Sequence, residues 1–293
     1  MTEAAKPFER PAFKLPFAPA DLPLWIGLGV MAIATVRTLG EQVWSKEWGA
    51  HGPIVLAVGA WMIFEKFSGA RPFMKPGSLV LTWTGLIVSL AVYMFGRAFD
   101  FISLETAGLY GTGVSMFYSR IGLRSLLHLW FPVGYLSFLI PPPQWLIDQF
   151  TGSLKQFVSW ASMSVLSAVG IPLSREGVTI YVGSYRLLVE DACSGMNSIV
   201  GLVAVSLLYI YLLRGAYLRY ATILLAAIIP IAILGNILRI MTLILLTHYF
   251  GDEVAQGFLH VTAGLFLFVV CLLLVFALDK ALWPLVPASW RRA

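Results

Sequence analysis

Three residues in the last third of the chain carry side chains that packing alone explains poorly: Cys193, Arg239 and His260. Cys193 stands in Glu190-Asp191-Ala192-Cys193-Ser194-Gly195, directly before an apolar run. A cysteine at a helix N-terminus has its thiolate favoured by the partial positive charge and the free N–H groups there. A thiolate is also the nucleophile that peptide cleavage through a thioester requires. The competing reading is a small buried hydrophobe, and position alone leaves the two open. Glu190 and Asp191 read as solvated loop charges. Left unpaired, they would oppose the thiolate.

Arg239 interrupts an apolar stretch in Gly235-Asn236-Ile237-Leu238-Arg239-Ile240. An ionisable side chain at membrane depth is expensive and points to function. Asn236 lies three residues earlier, on the same face of a continuous helix. A guanidinium there offers hydrogen bonds to a developing oxyanion or grips a carboxylate. The alternative is an arginine that snorkels to the interface and anchors its helix. His260 opens the last apolar run in His260-Val261-Thr262-Ala263-Gly264. Imidazole is the usual acid or base near neutral pH, although an interfacial histidine also serves as a polar cap. Gly264, four residues on, leaves room for a second helix on the histidine's face. Of the other histidines, His248 is the rival for this role, while His51 falls in a loop and His128 near a span start at the opposite side. Cys271 sits deep in an apolar run and reads as packing, so no disulfide with Cys193 is expected. No His, Cys, Asp and Glu spacing suggests a metal, and no cofactor motif is present.

These residues need elements to hold them, and composition says what kind. Of the 293 residues 59% are hydrophobic and only 12% charged, against about 25% charged in an ordinary soluble domain. Mean hydropathy is +0.83. Apolar runs near 20 residues recur, each long enough to cross about 30 Å of hydrocarbon. The spans are placed at 22–40, 52–66, 78–97, 101–118, 124–141, 194–213, 217–249 and 260–282. The expected fold class is therefore an all-α integral membrane protein of about eight transmembrane helices. The seventh span is long, and Pro230 and Gly235 are where a kink or break is expected. The first span follows a Pro-punctuated polar lead and is read as uncleaved.

Charge sets the orientation. With the N-terminus inside, thirteen of the 20 Lys and Arg fall in inner segments and four in outer loops. That bias puts both termini in the cytoplasm. The net charge of +5 thus serves orientation and argues against a nucleic-acid partner. Cys193, Arg239 and His260 then lie at similar depth at the outer face, the arrangement a Cys-His pair with an electrophilic arginine needs.

One long segment, 142–193, is expected outside. It opens on Pro141-Pro142-Pro143 and continues as an amphipathic stretch to about Val169, with Trp145, Phe150, Phe157 and Trp160 among Asp148, Lys155 and several serines. A helix lying on the membrane surface fits this pattern, and a ninth span is its rival. Val178 to Val189 alternates like a β-hairpin with Gly183-Ser184 at the turn. The whole chain reads as one membrane domain: a tail at 1–21, the outer segment 142–193, the helices of 194–282 and a tail at 283–293.

At Ala192-Cys193-Ser194-Gly195, Asn236-Ile237-Leu238-Arg239-Ile240 and His260 with Gly264, the chain resembles the exosortase/archaeosortase family of prokaryotic membrane enzymes. The motifs cover the C-terminal third closely, and the first 130 residues match only in hydropathy. The resemblance implies a membrane cysteine protease or transpeptidase in the bacterial inner membrane. Cys193 would be the nucleophile, Arg239 the electrophilic or substrate-positioning group and His260 the acid/base partner. Asn236, Ser194 and Gly195 would support them. The implied partners are exported proteins ending in a short motif of the Pro-Glu-Pro kind, one membrane helix and a basic tail, together with membrane lipids. From another class, a transporter or lipid-binding protein would use Arg239 for an anionic substrate and Cys193 for packing.

Overall fold

The computed structural model describes residues 22–46, 49–183, 185–188, 199–214, 218–251 and 258–285. Helix α1 spans Leu22–Leu39 and widens into a π-helical turn at Gly40–Trp44. Next come α2 (Gly52–Ala70), α3 (Leu79–Ala98), α4 (Ile102–His128) and α5 (Trp130–Leu136). Helix α6 (Gln144–Ala168) leads into strands β1 (Leu173–Glu176), β2 (Thr179–Val182) and β3 (Tyr185–Leu188). The chain then forms α7 (Ile199–Arg214), α8 (Leu218–Phe250) and α9 (Phe258–Leu282). Four helical stretches are long and apolar enough to cross a membrane, namely Leu22–Trp44, Gly52–Phe73, Leu79–Ala98 and Tyr220–Phe250. Shorter apolar helices run over Trp130–Leu139 and Val200–Leu213.

Inside hydrocarbon there is no hydrophobic effect to hold helices together, so close backbone approach does that work. Helices α3 and α4 form a tight antiparallel pair. A side chain on Gly108 would strike the Tyr93 backbone, and one on Gly96 would strike Glu105. The pair is pinned at its turn by Glu105, which is buried. Thr35 of α1 donates to Glu105 at 2.8 Å, and Arg97 of α3 pairs with it at 3.2 Å. At the other end of α4, Gly122 adopts φ +71 with the Lys75 carbonyl where a Cβ would sit, so only glycine fits. Gly122 is non-helical and separates the expected 101–118 span from a second helical stretch that runs to His128, close to the expected start of the fifth span at 124. The short α5 follows directly.

Helix α8 carries 33 residues in a single helix. Of the kink or break expected at Pro230 and Gly235, the break does not occur, and Pro230 lies inside the helix. A proline removes one ladder bond, and neighbouring helices compensate for such a loss in a bundle. At 1.5 Å per residue α8 reaches about 50 Å, longer than the roughly 30 Å of hydrocarbon, so it tilts, bends or protrudes. Its C-terminal part is covered on one face by α6 and the sheet. Val158 and Leu166 of α6, Ile180 and Val182 of β2 and Leu187 of β3 form one core with Ile240, Leu243 and Ile244.

The hairpin expected over Val178–Val189 is present as β2 and β3, with Val182 paired to Tyr185 across Gly183 at φ +60. A third strand, β1, extends it into an antiparallel sheet of order β1-β2-β3. The amphipathic stretch is helical as expected. Its inner face packs on α8, where Ser162 donates to the Ile237 carbonyl at 3.3 Å. Trp145, Phe157 and Trp160 on its other face are exposed.

Candidate active site

Arg239 lies on α8 with only 3% of its surface exposed, and Asn236 is 4% exposed. Leu243 and Thr247 continue the same stripe and are also buried. The guanidinium therefore does not snorkel out to solvent. It is held within the bundle.

The segment that carries Cys193, with Glu190, Asp191, Ser194 and Gly195, lies outside the described residues. Its two attachment points are described, and both pack with α8. On one side Leu187 of β3 belongs to the core with Ile240, Leu243 and Ile244. On the other side Leu202 of α7 belongs to the core with Leu224 and Ile228. Along α8 these anchors bracket Arg239. Cys193 is six residues before Ile199, a tether of at most about 21 Å.

His260 is on α9, and only its backbone is described. Helices α8 and α9 run antiparallel and touch where a Cβ on Gly235 would collide with Cys271 Sγ. Cys271 is a buried free thiol in this seam, in keeping with a packing role. The contact fixes the register. His260 comes level with Leu246, about 10 Å beyond Arg239 at 1.5 Å per residue. Arg239 is turned about 40° from the Gly235 direction and His248 about 140°, at 100° per residue. His248 thus faces away from α9. It is exposed and meets the Tyr249 ring edge-on at 4.9 Å.

At the opposite end of the same three helices sits a polar knot that the sequence reading missed. Asp279 of α9 is fully buried. Tyr209 of α7 donates to its Oδ2 at 2.8 Å, and Tyr220 of α8 to its Oδ1 at 2.6 Å. The carboxylate ties α7, α8 and α9 together far from Arg239. An acidic residue deep in an apolar run was its signal, the same signal that picked out Arg239.

With the geometry in place, the comparison with known proteins decides the family. A profile of transmembrane exosortases matches residues 43–277. The chain belongs to the transmembrane exosortase family. No curated protein and no solved structure matches it. The match covers α2 to α8 in full and most of α9. As an exosortase the chain is a membrane protein, and its family supports a transpeptidase or protease activity.

Proposed function

We propose that the protein is a membrane-embedded cysteine peptidase or transpeptidase that cuts a C-terminal sorting signal from exported proteins. The observation that carries this reading is the buried Arg239, bracketed along α8 by both anchors of the segment holding Cys193. An enzyme built on a thiolate and an oxyanion needs a preorganised cation within reach of the nucleophile.

In this mechanism the substrate's own membrane helix docks laterally among the spans and holds its motif at the outer interface. Binding energy from that remote helix orients the scissile bond. The Cys193 thiolate attacks the scissile carbonyl, forming a C–S bond and an oxyanion that Arg239 stabilises. The intermediate collapses, the C–N bond breaks, and protonated His260 gives its proton to the leaving amine. Water or an amine acceptor, deprotonated by His260, then attacks the thioester and releases the thiolate. Both termini lie in the cytoplasm, and the substrate's basic tail lies on that side too.

The test is co-expression with a protein bearing a short C-terminal motif, one membrane helix and a basic tail, read by mass shift. Wild type is expected to cut it, and Cys193→Ala to leave it uncut at equal membrane abundance. Equal cutting by the cysteine variant would end the nucleophile assignment and favour a substrate-binding or transport role for Arg239.

A further inference from the structure

We propose that a cleft between α1, α2, α4 and α5 holds one acyl chain of an anionic phospholipid, with the phosphate at its Arg120 end. The cleft has a volume of about 360 Å³. Trp25, Leu28 and Val36 line it from α1, and Leu56 and Ile63 from α2. Gly113 and Phe117 of α4 line it too, with residues of α5. Helices α1 and α2 each pack on α4 but scarcely touch one another. The cleft thus lies between two consecutive stretches long and apolar enough to cross a membrane, Leu22–Trp44 and Gly52–Phe73.

Its wall accepts hydrocarbon and little else. Among the described residues no charged side chain lines it. The two hydroxyls on the wall are spent on backbone: Thr106 donates to the Ile102 carbonyl at 2.8 Å, and Tyr110 to the Val133 carbonyl at 2.8 Å. Water needs polar partners that such a wall does not offer. Gly113 adds a second sign. A glycine inside a helix is destabilising relative to alanine. Gly108 and Gly111 of the same helix admit α3, since a Cβ on either would strike it. A Cβ on Gly113 would meet nothing within 4 Å. This glycine admits no neighbouring helix and widens the cleft.

Size and charge choose the occupant. Thr35 meets Glu105, and from there the cleft follows α1 back to Trp25 and α4 forward to Phe117. The two helices therefore run antiparallel along it, over about 16 Å at 1.5 Å per residue. A helix of that length and about 10 Å across fills roughly 1,200 Å³, far more than the cleft offers. An apolar cavity of about 150 Å³ takes one benzene, so this one has room for a hydrocarbon at least about twice as large. A single long acyl chain fits both the length and the volume. One turn beyond Phe117, on the same face of α4, stands the half-buried Arg120. Lys75 N donates to the Ile121 carbonyl at 3.3 Å, bringing a second cationic residue to that end. Glu65 of α2 is turned about 160° away from Ile63, at 100° per residue. The Arg120 end is thus cationic, and cations beside a membrane helix draw anionic headgroups. The bound chain couples α1 to α2 across the cleft.

The experiment incubates full-length protein in detergent with equal amounts of phosphatidylglycerol and phosphatidylcholine, then exchanges the detergent. Lipid retained per molecule is counted by native mass spectrometry. Wild type is expected to keep one phosphatidylglycerol. Gly113→Phe puts a ring into the cleft and should lower retention at least about tenfold. Arg120→Gln should keep the chain but reduce the preference for phosphatidylglycerol by about fivefold. Gly27→Leu is the control, on an exposed face about 180° around α1 from Val36, and should retain lipid as wild type does. A wild type that keeps no lipid would overturn the proposal whatever the variants do. So would retention unchanged in Gly113→Phe, or equal retention of the two lipids in wild type. Wild type free of lipid, with cleavage lost in Gly113→Phe at equal abundance, would give the cleft to the substrate's helix instead.

Discussion

A guanidinium buried among membrane helices persists only where something needs it, because desolvating it costs several kcal/mol. That argument singled out Arg239 from sequence, and in the structure the side chain is 3% exposed. Arg239→Ala is expected to lower cleavage about 100-fold or more, the loss seen when an oxyanion donor is removed. Arg239→Lys should recover only part of it, because an ammonium lacks the planar fork. Cleavage rates normalised to membrane abundance check both. The two histidines near the C-terminal end of α8 separate by direction. His260→Gln is expected to cost at least about 100-fold, and His248→Gln less than about threefold, since that ring faces away from α9. A larger loss in the His248 variant would reverse the assignment. Sequence could point to Arg239 because its signal is local. It could not point to the bond from Thr35 to Glu105, which joins positions far apart in the chain and follows no periodicity.

At the scale of elements, hydropathy located the helices because lipid demands long apolar runs. Gly122 at φ +71 divides α4 into two helical stretches, close to the boundary expected between the fourth and fifth spans. Strand β1 was missed because Leu173-Ser174-Arg175-Glu176 is exposed for most of its length and lacks alternation. The packing of α6 on α8 was hidden by its serines. Ser159 and Ser162 look solvated in sequence, yet they are small enough to sit buried in the seam. Two seams yield tests. Gly235→Leu would drive a side chain into Cys271 and should destabilise the α8–α9 pair by about 1–3 kcal/mol. A lowered melting temperature in detergent together with lost cleavage is the expected result, since Arg239 is one turn away. Asp279→Ala removes the carboxylate that accepts from the Tyr209 and Tyr220 hydroxyls and should cost about 1–3 kcal/mol. Its melting temperature should fall, while the protein that remains folded keeps its cleavage rate per molecule.

At the scale of the molecule, α1 to α5 form one half and α6 to α9 with the sheet form the other. The seam of α2 and α5 with α7 joins them. The charge bias predicts which end faces out. In a background lacking both native cysteines, Gly183→Cys should react with a membrane-impermeant maleimide in intact cells. Arg124→Cys should react only after the membrane is opened. The reverse labelling pattern would invert the topology and move the candidate site to the cytoplasmic side.

The C-terminal end of α8 also acts as a ruler. It belongs to one helix, Leu218–Phe250, braced by α6 and the sheet, so Arg239 keeps a set height relative to them. A substrate anchored in the same bilayer is measured against that height. Which bond reaches the site then depends on how many residues separate it from the substrate's own helix, as well as on which residues they are.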